Sequence, residues 1–160
     1  MLEVVNLGDS GVRVLRGGAV LWRSTVLQHE WNMPFQLGNP ALLPETDSAL
    51  DAASDVVQCA PGDVVVMGSD GLFDNVWDKE LCEIADAVRQ SAPSDVWTEA
   101  QVGVLAQRIA LTAEAHSVDK LYKSPWSVEC AENKAVGILR RFFPRGGKLD
   151  DITVVAAVVV

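Results

Sequence analysis

The sequence predicts an α+β domain, and three observations carry that expectation. Short apolar, β-branched runs occupy both ends of the 160-residue chain, and segments with helical periodicity fill its middle. Two acidic turns also flank apolar strands in opposite order. Val64-Val65-Val66-Met67 runs into Ser69-Asp70-Gly71-Leu72-Phe73-Asp74, whereas Gly146-Gly147-Lys148-Leu149-Asp150-Asp151 leads into Ile152 to Val160. If these strands are antiparallel neighbours, Asp70 and Asp150 fall at the same end of one sheet.

The elements follow in order. Leu2 to Leu7 and Val12 to Leu15 read as strands around Gly8-Asp9-Ser10-Gly11, and Val20-Leu21-Trp22 follows the Arg16-Gly17-Gly18 turn as a hairpin. Gln28 to Glu45 reads as loop, punctuated by Pro34, Pro40 and Pro44. Its Trp31, Met33, Phe35 and Leu37 are expected to fold onto the core rather than form an aromatic binding platform. Gly62-Asp63 turns the chain into Val64 to Met67, a strand buried on both faces. Gly68 and Gly71 then bracket Asp70 with residues that permit tight backbone and positive φ.

Asp78 is the expected N-cap of a helix whose Leu81, Ile84, Ala85 and Val88 share one face. Thr98-Glu99-Ala100-Gln101 matches a capping box and opens a second helix, with Val102, Leu105, Ile109 and Ala113 as its buried stripe. Tyr122 to Phe143 admits more than one reading. Ser124-Pro125 could open a short helix there, and Arg140-Arg141 is expected to face solvent. The β-branched tail from Ile152 is expected to be a central strand. Nothing repeats at a fixed period, so the chain is one domain or part of one.

Composition sets bounds. Hydrophobic content of 49% and charged content of 22% are those of a folded globular chain. A formal charge of −9 argues against a nucleic-acid surface, which needs a basic patch. Asp51, Asp55 and Asp63 are expected to be solvated loop charge. Cys59, Cys82 and Cys130 are odd in number and lack a CxxC pair, which fits reduced thiols in an intracellular compartment. With His29 and His116 the only histidines, a zinc site is disfavoured. No segment has the ~18 apolar residues of a membrane span. The start at Met1-Leu2-Glu3-Val4-Val5 has no targeting character and enters a strand directly, as an internal cut would.

A carboxylate at the mouth of a buried strand is costly unless its charge is compensated, and a bound cation is one compensation. Asp70 alone could equally be a helix cap. Together with Asp150, it suits a hard divalent cation such as Mg²⁺ or Mn²⁺, which prefers oxygen ligands.

Gly8-Asp9-Ser10, Ser69-Asp70-Gly71-Leu72-Phe73-Asp74 and Asp150-Asp151-Ile152-Thr153-Val154 resemble the later motifs of metal-dependent (type 2C) protein serine/threonine phosphatases, in the family's order. Phe35-Gln36-Leu37, the Asp119-Lys120 to Ser124-Pro125 segment and Gly146-Gly147-Lys148-Leu149 resemble its mitochondrial and plastid branch. The resemblance spans nearly the whole chain but not a whole family domain. The earlier Asp-Gly metal motif and a phosphate-binding Arg have no counterpart, since Asp-Gly occurs only at Asp70-Gly71. Residues 1–160 thus look like the C-terminal part of a single catalytic domain.

The resemblance implies a layered α-β-β-α sandwich of antiparallel sheets with flanking helices, here incomplete, with open strand edges and poor stability. It implies a phosphoprotein substrate, hydrolysis of phosphoserine or phosphothreonine by a metal-activated water, and two Mg²⁺ or Mn²⁺ ions in the complete domain. Carried over, Asp70 and Asp150 are metal ligands, and Asp9 matches a weaker third metal position, or else is a turn carboxylate. Asp151 falls where many members carry Asn and is expected to lie outside the ligand set, while Asp74 caps or supports its turn. A mitochondrial or plastid location is implied, with the targeting segment outside this chain; oligomeric state has no signature.

Two other phosphate or metal readings fail on chemistry. A haloacid-dehalogenase motif needs a nucleophilic Asp at position 68, which is Gly. A calcium loop needs further acids after Asp70 at alternate positions, and these are missing. A non-catalytic remnant or binding module of the same family stays open beside the enzyme.

Overall fold

The computed structural model describes residues 1–91, 96–132 and 142–160. The strands are β1 (Leu2–Asn6), β2 (Gly11–Arg16), β3 (Ala19–Arg23), β4 (Gln28–Glu30), β5 (Met33–Pro34), β6 (Ala53–Val57), β7 (Val64–Gly68) and β8 (Val154–Val158). The helices are α1 (Asp70–Phe73), α2 (Asp78–Gln90), α3 (Glu99–Val118) and α4 (Pro125–Glu132). A four-stranded antiparallel sheet in the order β3-β2-β7-β8 forms the middle layer.

Each face of that sheet is covered differently. On one face, α2 and α3 pack Leu81, Val88, Leu105, Ile109 and Ala113 against Leu15, Val64 and Val66. On the other, the antiparallel β1–β6 ribbon brings Val4 and Val57 onto Val12, Val14 and Val65. Helix pair, sheet and ribbon are layers of the mixed antiparallel sandwich that was expected. β2 is buried along almost its whole length because it is covered on both faces.

Local chemistry explains the joints. Gly17 and Gly18 turn β2 into β3 with φ of 57° and 75°, the left-handed pair that a tight hairpin requires. Thr98 and Gln101 form the expected reciprocal box, with Gln101 N–H donating to Thr98 Oγ1 and Thr98 N–H to Gln101 Oε1. Pro125 opens α4, as expected of a residue that needs no amide donor in the first turn.

Several expectations are corrected. β8 lies at the edge of the sheet among the described residues, not at its centre; alternate residues such as Val155 face outward. A β-branched run records strand preference and does not by itself record neighbours on both sides. Asp78 is the first helical residue of α2, after the N-cap Trp77, and is paired with Arg13 at 2.9 Å. Gln28 to Glu45 is not all loop, since β4 and β5 form a short hairpin. Trp31, Met33 and Leu37 stay exposed instead of joining the core, at 37%, 54% and 65%. Phe35 stacks on His29, with ring centroids 4.0 Å apart.

The solvated-loop reading fails for Asp63, which is buried and takes both guanidinium donors of Arg16 at 2.6 Å. Asp55 lies in β6, and Asp51 closes a 3-10 turn with Ser48. Arg140 and Arg141 lie outside the described residues. None of the three cysteines is joined in a disulfide, and no described helix is long and apolar enough to cross a membrane.

Candidate active site

The site is built where β7 ends and β8 begins. Their antiparallel register sets Gly68 opposite Val154, so the acidic turns after one and before the other meet at one end of the sheet. Ser69 fastens them: its N–H donates to the Thr153 carbonyl, its hydroxyl donates to the Asp151 carbonyl, and it accepts from Thr153 N–H. Glycine is needed here for closeness rather than for positive φ. A Cβ on Gly71 would drive into the Asp151 carbonyl, and one on Gly68 would lie 2.6 Å from the Leu72 side chain. Neither residue has positive φ, which corrects that part of the expectation.

Asp70 and Asp150 converge on one ammonium. Lys148 Nζ is 2.5 Å from Asp70 Oδ2, 2.8 Å from Asp74 Oδ2 and 3.0 Å from Asp150 Oδ2. The second oxygen of Asp70 accepts from Gly71 N–H, and one oxygen of Asp150 accepts from Asp151 N–H. Asp9, carried on the crossover between β1 and β2, lines the same small cleft of about 150 Å³ with Asp70, Asp74 and Lys148. Trp31 and Trp126 also line it, so the β4–β5 hairpin serves as a wall of the cleft and not as core. Asp151 contributes backbone to the Ser69 fastening and keeps its side chain exposed.

Charge crowding is written into the protonation equilibria. Burial pushes the Asp74 carboxyl up to about 6, against the pull of Lys148. Burial and then the Asp70 charge raise Asp9. Asp150 is lowered, chiefly by its hydrogen bond from Lys148. Burial alone would lower the Lys148 ammonium, but its bonds to Asp70 and Asp74, then Asp150, raise it. One cation thus answers for several carboxylates.

Two residues of this centre escaped the sequence reading. Lys148 lay inside a quoted motif without a role. Asn75 is fully buried; its amide donates to the Gly71 and Lys148 carbonyls and its oxygen accepts from Lys148 N–H, which ties the second acidic turn to α1. His116 Nδ1 faces the Asn75 carbonyl at 2.9 Å, and its ring stacks on Tyr122, whose hydroxyl donates to Glu80. The one available signal was an Asn directly after an acidic helix end.

No family model matches the chain. Probable protein phosphatase 2C 26 of Arabidopsis thaliana is 34% identical over 164 residues, covering 100% of this chain and 50% of that protein. The protein phosphatase PTC7 homolog fig of Drosophila pseudoobscura pseudoobscura is 36% identical, covering 99% of this chain and 45% of its own length. The solved structure of the photosystem II phosphatase PBCP superposes with a TM-score of 0.81 at 32% identity, over 99% of this chain and 58% of that one. The chain belongs to the type 2C protein phosphatase family. It spans about half the length of the curated relatives it matches.

For a type 2C phosphatase centre, the donor set has the right chemistry for a divalent ion. Among the described residues the partners at the focus are carboxylate oxygens of Asp70, Asp74 and Asp150, which suits a hard cation, and their charge exceeds what Lys148 neutralises. No three His, Cys, Asp or Glu side chains among the described residues stand ready as a metal cage, and the Lys148 ammonium lies at the focus. The residues fit the ion in kind and in charge, with Lys148 in its way.

Proposed function

We propose that this chain forms the C-terminal part of the catalytic domain of a metal-dependent protein serine/threonine phosphatase, acting on phosphoserine or phosphothreonine in a phosphoprotein. The observation supporting this most strongly is the convergence of Asp70 and Asp150 on one point, with Asp9 lining the same cleft. In this reading Asp70 and Asp150 hold Mg²⁺ or Mn²⁺, two ions in the complete domain, and Asp9 serves a weaker third position. Such ions, when bound, supply a water of lowered pKa and polarise phosphoryl oxygens. The chain's own residues set the geometry: Ser69 and Asn75 lock the two acidic turns together, and Trp31 and Trp126 line the cleft. The branch motifs add a mitochondrial or plastid location for the whole protein.

The alternative, a non-catalytic module of the same family, is favoured by one feature. Asp-Gly occurs only at Asp70-Gly71, so the chain holds a single copy of the motif that the metal pair draws on twice. Phosphate release from a phosphothreonine peptide separates the two. A longer natural polypeptide containing this chain and a further Asp-Gly motif should turn over with Mn²⁺ and stop on chelation, whereas the isolated 160 residues should be nearly inactive. Turnover that survives chelation would refute the metal mechanism.

A further inference from the structure

Lys148 occupies the position where the carboxylates converge, and its surroundings show that this is a built arrangement. Its side chain is 18% exposed, and three separate aspartates, from α1, its C-cap and the turn before β8, meet its one nitrogen. Its backbone is clamped on both sides by the buried Asn75 amide, so the ammonium is delivered to this spot by the fold and not by a wandering surface side chain. A divalent ion held by Asp70 and Asp150 would need the space between their carboxylates. The ammonium fills that space. Two cations cannot share it, by size or by charge.

We propose that Lys148 is an internal, tethered cation that holds Asp70, Asp74 and Asp150 together in the metal-free protein and competes directly with the divalent ion for Asp70 and Asp150. This rests on the metal-phosphatase reading and adds a regulatory consequence to it. One ammonium offsets part of the charge of the three carboxylates and holds them together, and metal affinity is set by the contest with Lys148. On metal binding the ammonium would leave Asp70 and Asp150 and keep its pairing with Asp74, 2.8 Å away.

The test is Mn²⁺ binding to the purified 160-residue chain, followed by the loss of the free-ion electron paramagnetic resonance signal, for wild type, K148M and K148M/D70N. The competition predicts that K148M binds Mn²⁺ at least tenfold more tightly than wild type and that D70N abolishes the gain. A second readout does not depend on the folding of K148M and uses wild type alone: acetylation followed by mass spectrometry. Millimolar Mn²⁺ should raise the labelling of Lys148 and leave that of exposed Lys79 unchanged. Equal or weaker Mn²⁺ binding by K148M, or Lys148 labelling indifferent to bound Mn²⁺, overturns the competition while leaving the metal reading standing. No Mn²⁺ binding by either protein overturns this inference, while the metal reading is decided separately by the chelation test on the longer polypeptide.

Discussion

Residue by residue, the centre separates side chains that hold charge from those that hold position. Asp150 and Asp151 are adjacent, yet only Asp150 turns its carboxylate to the focus; Asp151 is used through its carbonyl. Asp151→Asn should therefore leave stability within about 0.5 kcal/mol of wild type, as for other exposed substitutions, on urea denaturation. Gly71→Ala should do the reverse. Its methyl group meets the Asp151 backbone, which cannot yield without separating the two acidic turns, so the variant should lose Mn²⁺ binding even where it folds. Asp63 gives a pH prediction away from the site. Its hydrogen bond from Arg16 holds its carboxyl below the usual carboxylate range. The stabilisation is present above the unfolded value of about 3.9 and fades as pH falls through the lower folded value. Asp63→Asn should cost about 2 kcal/mol near pH 7, and the gap to wild type should close below about pH 4 in denaturation titrations. Sequence reading missed this pair because a Gly-Asp turn looks like any solvent turn, and Arg16 lies 47 positions away.

At the scale of elements, what was legible was periodic and local. The stripe of Leu105, Ile109 and Ala113 on α3, the Thr98 capping box and the β2–β3 hairpin all follow from short-range chemistry, and all are present. Leu105→Ala should cost roughly 3 kcal/mol, because the side chain is fully enclosed between α2 and the sheet. Val102→Ala, on the half-buried shoulder of the same stripe, should cost clearly less; parallel urea melts of the two variants decide it. What was not legible depended on long-range partners. The edge position of β8 is set by which strand lies beside it, and the exposure of Trp31 by a cleft assembled from five separate segments. Asp78 likewise answers to Arg13, not to its own helix end.

For the whole molecule, the opposite order of acid and strand in two segments places Asp70 and Asp150 together once the strands are antiparallel neighbours, and β7 and β8 are such a pair. The cation between them was not foreseen, because nothing in the spacing says that a lysine two positions before Asp150 folds back onto it. β8 presents an open edge and the outward-facing Val155 among the described residues, and Met67 beside it is also exposed. Such surface is stable only when covered, so the 160-residue chain should associate or unfold more readily than a longer polypeptide that covers it, as sedimentation and thermal melts of the two would show. The central claim is that Asp70 works as a metal ligand of a phosphatase. Its most direct test is kcat/KM on a phosphothreonine peptide with Mn²⁺, in a longer natural polypeptide containing this chain, for wild type, Asp70→Ala and Asp151→Asn. The account predicts a loss of at least about a thousandfold in Asp70→Ala and little change in Asp151→Asn; near-normal turnover in Asp70→Ala would contradict it.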